Sequence, residues 1–71
     1  MRLFVDSEGF LVALEGGKAL AFIPGRGWGG NSEALRSSVL RDMRAEEIPP
    51  EEVPGWLESF GAPMPDFNKE P

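Results

Sequence analysis

The sequence predicts an α+β fold, in which a three-stranded antiparallel β-meander is followed by one main α-helix and a short aromatic C-terminal helix or extended tail. Apolar runs of strand length occur at residues 2–6, 10–15 and 18–23, and turn-forming residues separate them. A helical period of apolar residues follows in the middle of the chain. The chain has only 71 residues, so we expect a single small domain over residues 1–71.

Two tight turns define the meander, which we place at residues 2–23. The turn at residues 6–9 begins with Asp and ends with Gly, the residues favoured at those positions of a β-turn. Gly16 and Gly17 can both adopt positive φ, as a type I′ hairpin requires. Pro24 ends the third strand because proline has no N–H to donate to the ladder.

The meander is followed by a loop and a helix. Four of the eight residues in the loop, residues 24–31, are glycines, whose entropy opposes regular structure. The helical segment spans residues 32–47, and its periodic part spans 33–46, with an N-cap at Asn31 or Ser32. Its apolar stripe consists of Leu35, Val39, Leu40 and Met43.

The remaining residues, 48–71, form a Pro-rich acidic C-terminal segment. Pro50 or Pro54 can begin a short helix that ends at Gly61. Trp56, Leu57 and Phe60 share one side of that helix. Residues 62–71 are expected to be extended.

Neither face of the meander is polar, whereas an antiparallel sheet with one solvated face alternates apolar and polar residues. We therefore expect the helix to cover one face, and the C-terminal segment, a second copy of the chain, or both to cover the other. A domain this small buries only about 60% of its unfolded surface, which favours a homo-oligomer, with a dimer preferred. The expected interaction surface comprises Ala13, Ala19, Ala21, Ile23, Trp56 and Phe60. Glu in place of Ala19 or Ala21 is expected to dissociate the oligomer.

The composition excludes most catalytic chemistry. The chain has no histidine and no cysteine, so it offers neither a Ser-His-Asp or Cys-His centre nor a soft-ligand metal site. We expect no enzyme activity, no cofactor and no metal. The sequence instead favours a small non-enzymatic protein-interaction module, which self-associates through a sheet face or docks on another protein.

The alternative function is binding of an anionic ligand, such as a nucleotide or RNA, at the glycine-rich loop. Backbone amides before a helix N-terminus attract anions, and an arginine adds charge-assisted hydrogen bonds. The candidate anion-binding residues are Arg26, Gly29, Gly30, Asn31 and Ser32, and Trp28 is the candidate for stacking. In the competing interpretation the loop is only a connector, and Trp28 folds onto the core.

The charges are unevenly distributed along this acidic chain, whose net charge is −5. Residues 18–44 carry a net charge of +3, and residues 45–71 carry −6. The overall sign opposes nucleic-acid binding. We expect no membrane span and, by elimination, a cytoplasmic location. Arg outnumbers Lys by five to two, and the loops contain many prolines, which suits a heat-stable protein.

Overall fold

One antiparallel sheet of five strands forms the centre of the protein, with strand order β4-β3-β2-β1-β5. This computed structural model describes residues 1–30 and 33–67. The strands are β1 Arg2–Val5, β2 Leu11–Glu15, β3 Lys18–Ile23, β4 Gly27–Gly29 and β5 Glu46–Ile48. The helices are α1 Glu33–Arg41 and α2 Val53–Phe60, and a 3-10 turn, Pro50–Glu52, precedes α2. The α+β class is confirmed, but the predicted meander is only the central part of a larger sheet.

Side-chain and backbone hydrogen bonds close the first turn of the meander, and two glycines form the second. The Asp6 carboxylate accepts hydrogen bonds from the amides of Glu8 and Phe10, both at 2.9 Å, which fixes the first turn. In the second turn Gly16 has a φ of 61°, whereas Gly17 does not have positive φ. The turn therefore differs from the predicted type I′, which needs positive φ at both positions.

The prediction of an irregular loop over residues 24–31 is wrong for residues 27–29, which form β4. Pro24 and Gly25, whose φ is 84°, occupy the centre of a turn closed by the Arg26 amide donating to the Ile23 carbonyl at 2.9 Å. Pro followed by a positive-φ Gly is typical of a type II turn. The reversed chain then pairs with β3, and the ladder offsets the entropy cost of the glycines.

The predicted helix is also too long, because α1 ends at Arg41 and residues 46–48 form β5. The Asp42 carboxylate accepts hydrogen bonds from the amides of Ser7, at 3.0 Å, and Arg44, at 2.9 Å. These bonds turn the chain out of the helix, and β5 then pairs with β1. Met43, predicted on the apolar stripe, lies in this turn and is 99% exposed.

Both faces of the sheet are covered by the chain itself. On one side, the α1 face, Val39 of α1 packs on a buried layer that consists of Phe4, Val12, Leu14 and Ala19. On the other side, the α2 face, residues 53–67 cover a layer that consists of Leu3, Leu11, Ala13, Leu20, Phe22 and Ile48. The C-terminal segment is thus the second cover, one of the two alternatives that the apolar strands left open.

Candidate functional site

The helix α1 leaves one corner of its face of the sheet uncovered, next to β4. Gly27 and Gly29 are the register partners of Ile23 and Ala21, so all four residues face the α1 side. The glycines carry no side chains, and β4 therefore adds a flat floor. The resulting cavity of about 470 Å³ is bounded by Leu35 and Arg26, and we call it the corner groove.

The corner groove contains two residues of the expected interaction surface, Ala21 and Ile23. Ile23 is 45% exposed and Ala21 is half-buried. Ala13 and Ala19 do not belong to the same surface as these two residues, because Ala13 faces the α2 side and Ala19 is buried beneath α1.

The expected grouping of the alanines is therefore corrected: Ala13 and Ala19 lie on opposite faces of the sheet, and both are fully buried within the chain. The reason is the register of the hairpin, in which Ala13 lies opposite Leu20, and Leu14 opposite Ala19. The two-residue turn at Gly16 and Gly17 sets this register, and it is the sequence signal that separates the alanines.

Three of the five candidate anion-binding residues come together in the corner groove. Arg26, Gly29 and Gly30 all line it, and the Arg26 side chain is exposed. The other two candidates, Asn31 and Ser32, lie outside the described residues. The groove thus combines an apolar floor with one cationic group at its rim.

The indole ring of Trp28 is engaged with the core on the α2 face. Its centroid lies 5.4 Å from that of Phe22, in an edge-to-face arrangement. Its Nε1–H donates a hydrogen bond to the Pro63 carbonyl at 2.7 Å. Trp28 is also a lining residue of the corner groove, while its ring packs against the core of the α2 face, as in the interpretation that folds it onto the core.

Trp56 and Phe60, the other residues of the expected interaction surface, lie on α2. Both are half-buried, and their rings stack with centroids 6.2 Å apart. Trp56 also lines a cavity of about 380 Å³ on the outer side of α2, which we call the α2 cleft. The other residues that line the α2 cleft are Glu51, Glu52, Gly55 and Ser59. Sequence reasoning missed this cleft, although Glu52 and Trp56 have the spacing of neighbours on a helix.

An ion pair connects β1 to its neighbour β5 at one edge of the sheet. Arg2 donates two hydrogen bonds to the Glu47 carboxylate, at 3.0 and 2.9 Å, and its guanidinium lies 5.0 Å from the centre of the Phe4 ring. The hydrogen bonds from Arg2 lower the pKa of Glu47, and the same contacts raise the pKa of Arg2.

Asp42 is the second carboxylate that the fold perturbs. The amide of Ser7 and then that of Arg44 donate to its carboxylate, and these bonds hold the pKa of Asp42 below its usual value. A third cavity, of about 170 Å³, lies on the other flank of α1 and is lined by Arg36 and Leu40. The Arg36 Nε is buried there, and it makes no hydrogen bond with the described part of the chain.

The described residues give no sign of a metal centre, because nowhere among them do three acidic, His or Cys side chains come together. Within residues 1–30 and 33–67, neither helix has the length and apolar character that crossing a bilayer demands. No protein-family model matches the chain, and no curated protein or solved structure is significantly similar to it. Its surfaces are therefore interpreted from their own geometry.

Proposed function

We propose that the protein is a small non-enzymatic interaction module that self-associates through the corner groove. The observation that carries this proposal is the exposure of Ile23 on the α1 face of the sheet, next to a layer of buried apolar side chains. Ile23 is 45% exposed, and it stands beside a floor made of Ala21 and Gly29. An apolar side chain next to an apolar hollow is the arrangement that a self-complementary contact uses.

A two-fold axis makes this contact a closed dimer interface. Each copy places its Ile23 side chain over the Gly29 floor of the other, so that the same surface serves both subunits. Burial of these apolar groups stabilises a domain whose own core supplies only about 3–5 kcal/mol. The surface is smaller than the whole sheet face expected from the sequence, since α1 covers the rest.

The test compares two apolar residues of equal exposure. Ile23 and Leu40 are both 45% exposed, but only Ile23 lines the corner groove. Sedimentation velocity over a range of concentrations is expected to show an oligomer for the wild-type protein and for Leu40→Ser, and a monomer for Ile23→Ser. A monomeric wild-type protein would contradict self-association, and an oligomeric Ile23→Ser would contradict this interface.

A second pair of variants blocks the groove instead of removing its apolar side chain. A Cβ atom added at Gly29 has no atom of a residue beyond its chain neighbours within 4 Å, and the same is true at Gly17, in the turn between β2 and β3. Neither glycine has positive φ, so both accept a side chain without backbone strain. Gly29→Val is expected to fill the floor and dissociate the oligomer, whereas Gly17→Val leaves it intact.

The second candidate function is binding of an anion in the same groove. Arg26, Gly29 and Gly30 line one cavity, so a guanidinium lies at the rim of a hollow that also has backbone amides. Inorganic phosphate, ATP and a short oligoribonucleotide, titrated at low salt, are expected to shift the Gly30 amide signal in NMR spectra. Arg26→Gln should abolish the shift, and unchanged spectra with all three probes would contradict this function.

A further inference from the structure

The wall of the α2 cleft contains one aromatic residue, Trp56, which is half-buried and also packs against the core of the α2 face. Phe60 stacks on one side of Trp56, with ring centroids 6.2 Å apart, but Phe60 does not line the cleft. Trp56 does line it, together with Gly55, where an added Cβ atom would have no atom within 4 Å apart from its chain neighbours and the backbone of the helix. An indole that borders an open cavity is a platform for a flat or cationic group.

The charged residues that line this cleft, and those of the segment that carries it, are all acidic. Residues 45–67 contain six acidic residues and no basic one. Glu51 and Glu52 flank the cleft, and within the described part of the chain neither forms an ion pair. The Glu52 carboxylate lies at the edge of the indole, with its Oε1 3.4 Å from the Trp56 Nε1. An anion is repelled from this cleft, and a cation is attracted to it.

We propose that the α2 cleft binds an arginine side chain from a basic segment of a partner protein. A guanidinium is planar and stacks on the indole of Trp56, while its N–H groups donate to the carboxylates of Glu51 and Glu52. A lysine ammonium has neither the plane nor the fork of donors, so it binds more weakly. Charge complementarity thus selects a basic partner, and the indole of Trp56 selects an arginine of that partner over a lysine.

No arginine of the described chain lines the cleft, so an arginine that fills it comes from another molecule, and the net charge of −5 on this chain favours a basic partner protein over a second copy. The cleft lies on the outer side of α2, across the sheet from the corner groove. An arginine in the cleft is therefore compatible with self-association through the corner groove, and its binding does not depend on self-association. The site adds a second, charge-selective surface to the module.

The experiment uses NMR spectra of the full chain and a synthetic peptide of glycine, serine and arginine. The chain has two tryptophans, so its spectrum contains two indole N–H signals, and Trp28 is an internal control. Trp56→Phe assigns the signals. The arginine peptide is expected to move the Trp56 signal in a saturable way and to leave the Trp28 signal in place. The same peptide with citrulline, the neutral isostere of arginine, should move neither.

Charge-neutralising variants separate the cleft from general attraction to an acidic protein. The double variant Glu51→Gln, Glu52→Gln is expected to weaken peptide binding about ten-fold. Glu8→Gln and Glu15→Gln together remove the same charge on the meander and should leave the affinity unchanged. Equal weakening by both pairs, or an equal response to the citrulline peptide, would overturn the proposal.

Two further results would also overturn it. One is the absence of any shift of the Trp56 signal with the arginine peptide while the protein remains folded. The other is a shift of the Trp56 signal that depends on protein concentration alone and that the double variant Arg41→Gln, Arg44→Gln abolishes. The occupant would then be a second copy of the chain.

Discussion

Trp28 fastens the C-terminal segment to the sheet, because its indole N–H donates a hydrogen bond of 2.7 Å to the Pro63 carbonyl. A second bond, from the Lys18 ammonium to the Phe67 carbonyl at 3.0 Å, holds the segment further along. The two bonds secure the stretch that carries Ala62 and Phe67, both of which are buried against the α2 face.

The bond to Pro63 predicts that Trp28→Phe destabilises the protein by about 1 kcal/mol, the usual net value of one such hydrogen bond. The phenyl ring keeps the contact with Phe22 but has no donor. Trp56→Phe is the control. The Trp56 Nε1 lies 3.4 Å from its acceptor, so removing this longer hydrogen bond is expected to cost less stability. Urea unfolding of both variants, followed by far-UV circular dichroism, checks this, and equal losses would contradict it.

The lowered pKa of Asp42 predicts a loss of stability in acid. Because this pKa is lower in the folded chain than in the unfolded one, the ionised carboxylate stabilises the fold. That contribution is complete above the ordinary pKa of 3.8 and disappears as the pH falls through the folded value.

Asp42→Asn is therefore expected to show a flatter dependence of the urea midpoint on pH below about pH 5 than the wild-type protein does. Glu46→Gln is the control, because the Glu46 side chain has no partner among residues 1–30 and 33–67. A variant curve parallel to that of the wild-type protein would contradict this assignment.

Two glycines of the C-terminal region predict effects of opposite sign. Gly61 ends α2 with a φ of 66°, and the Ala62 amide next to it donates to the Leu57 carbonyl at 2.8 Å. Gly61→Ala is expected to cost about 1 kcal/mol, because a side chain disfavours that conformation. Gly55 lies inside α2 without positive φ, so Gly55→Ala should stabilise by about 0.5–1 kcal/mol. Thermal unfolding of both variants checks the two signs.

Ala19 and Ala21 predict different outcomes of the same substitution. Ala19 is 0% exposed beneath α1, so Ala19→Glu puts a carboxylate into the core and is expected to prevent folding, instead of dissociating an oligomer as the sequence suggested. Ala21 borders the corner groove, so Ala21→Glu should stay folded and dissociate the oligomer. Circular dichroism and sedimentation together check both, and a folded Ala19→Glu protein would contradict the burial of that site.

The parts of the fold that could be predicted from the sequence are those that short-range chemistry determines. The Asp6 carboxylate closes the first turn by bonding amides two and four residues ahead of it. Likewise, Gly61 ends α2 where a positive-φ residue is needed. These features depend only on residues that are close in sequence. The turns and strands of the meander could be predicted for the same reason.

The parts that could not be predicted depend on residues far apart in the chain. The end of α1 is set in part by the Asp42 carboxylate accepting from the Ser7 amide, 35 residues away. Periodicity alone continues the helix to Met43, since the apolar spacing does not record that contact. In the candidate site, Arg26, Gly29 and Gly30 line one cavity and are close in sequence, whereas the α2 cleft depends on where α2 docks.

The pairing of β5 with β1 has a consequence for the growing polypeptide. Strand β1 is made first, yet one of its edges remains without a partner until residues 46–48 have been synthesised. Leu3 and Leu11 also remain uncovered until α2 has been synthesised. A chain released before residue 46 would therefore have an unpaired edge on β1 and exposed apolar side chains. Such a fragment would aggregate and would not be a smaller stable protein.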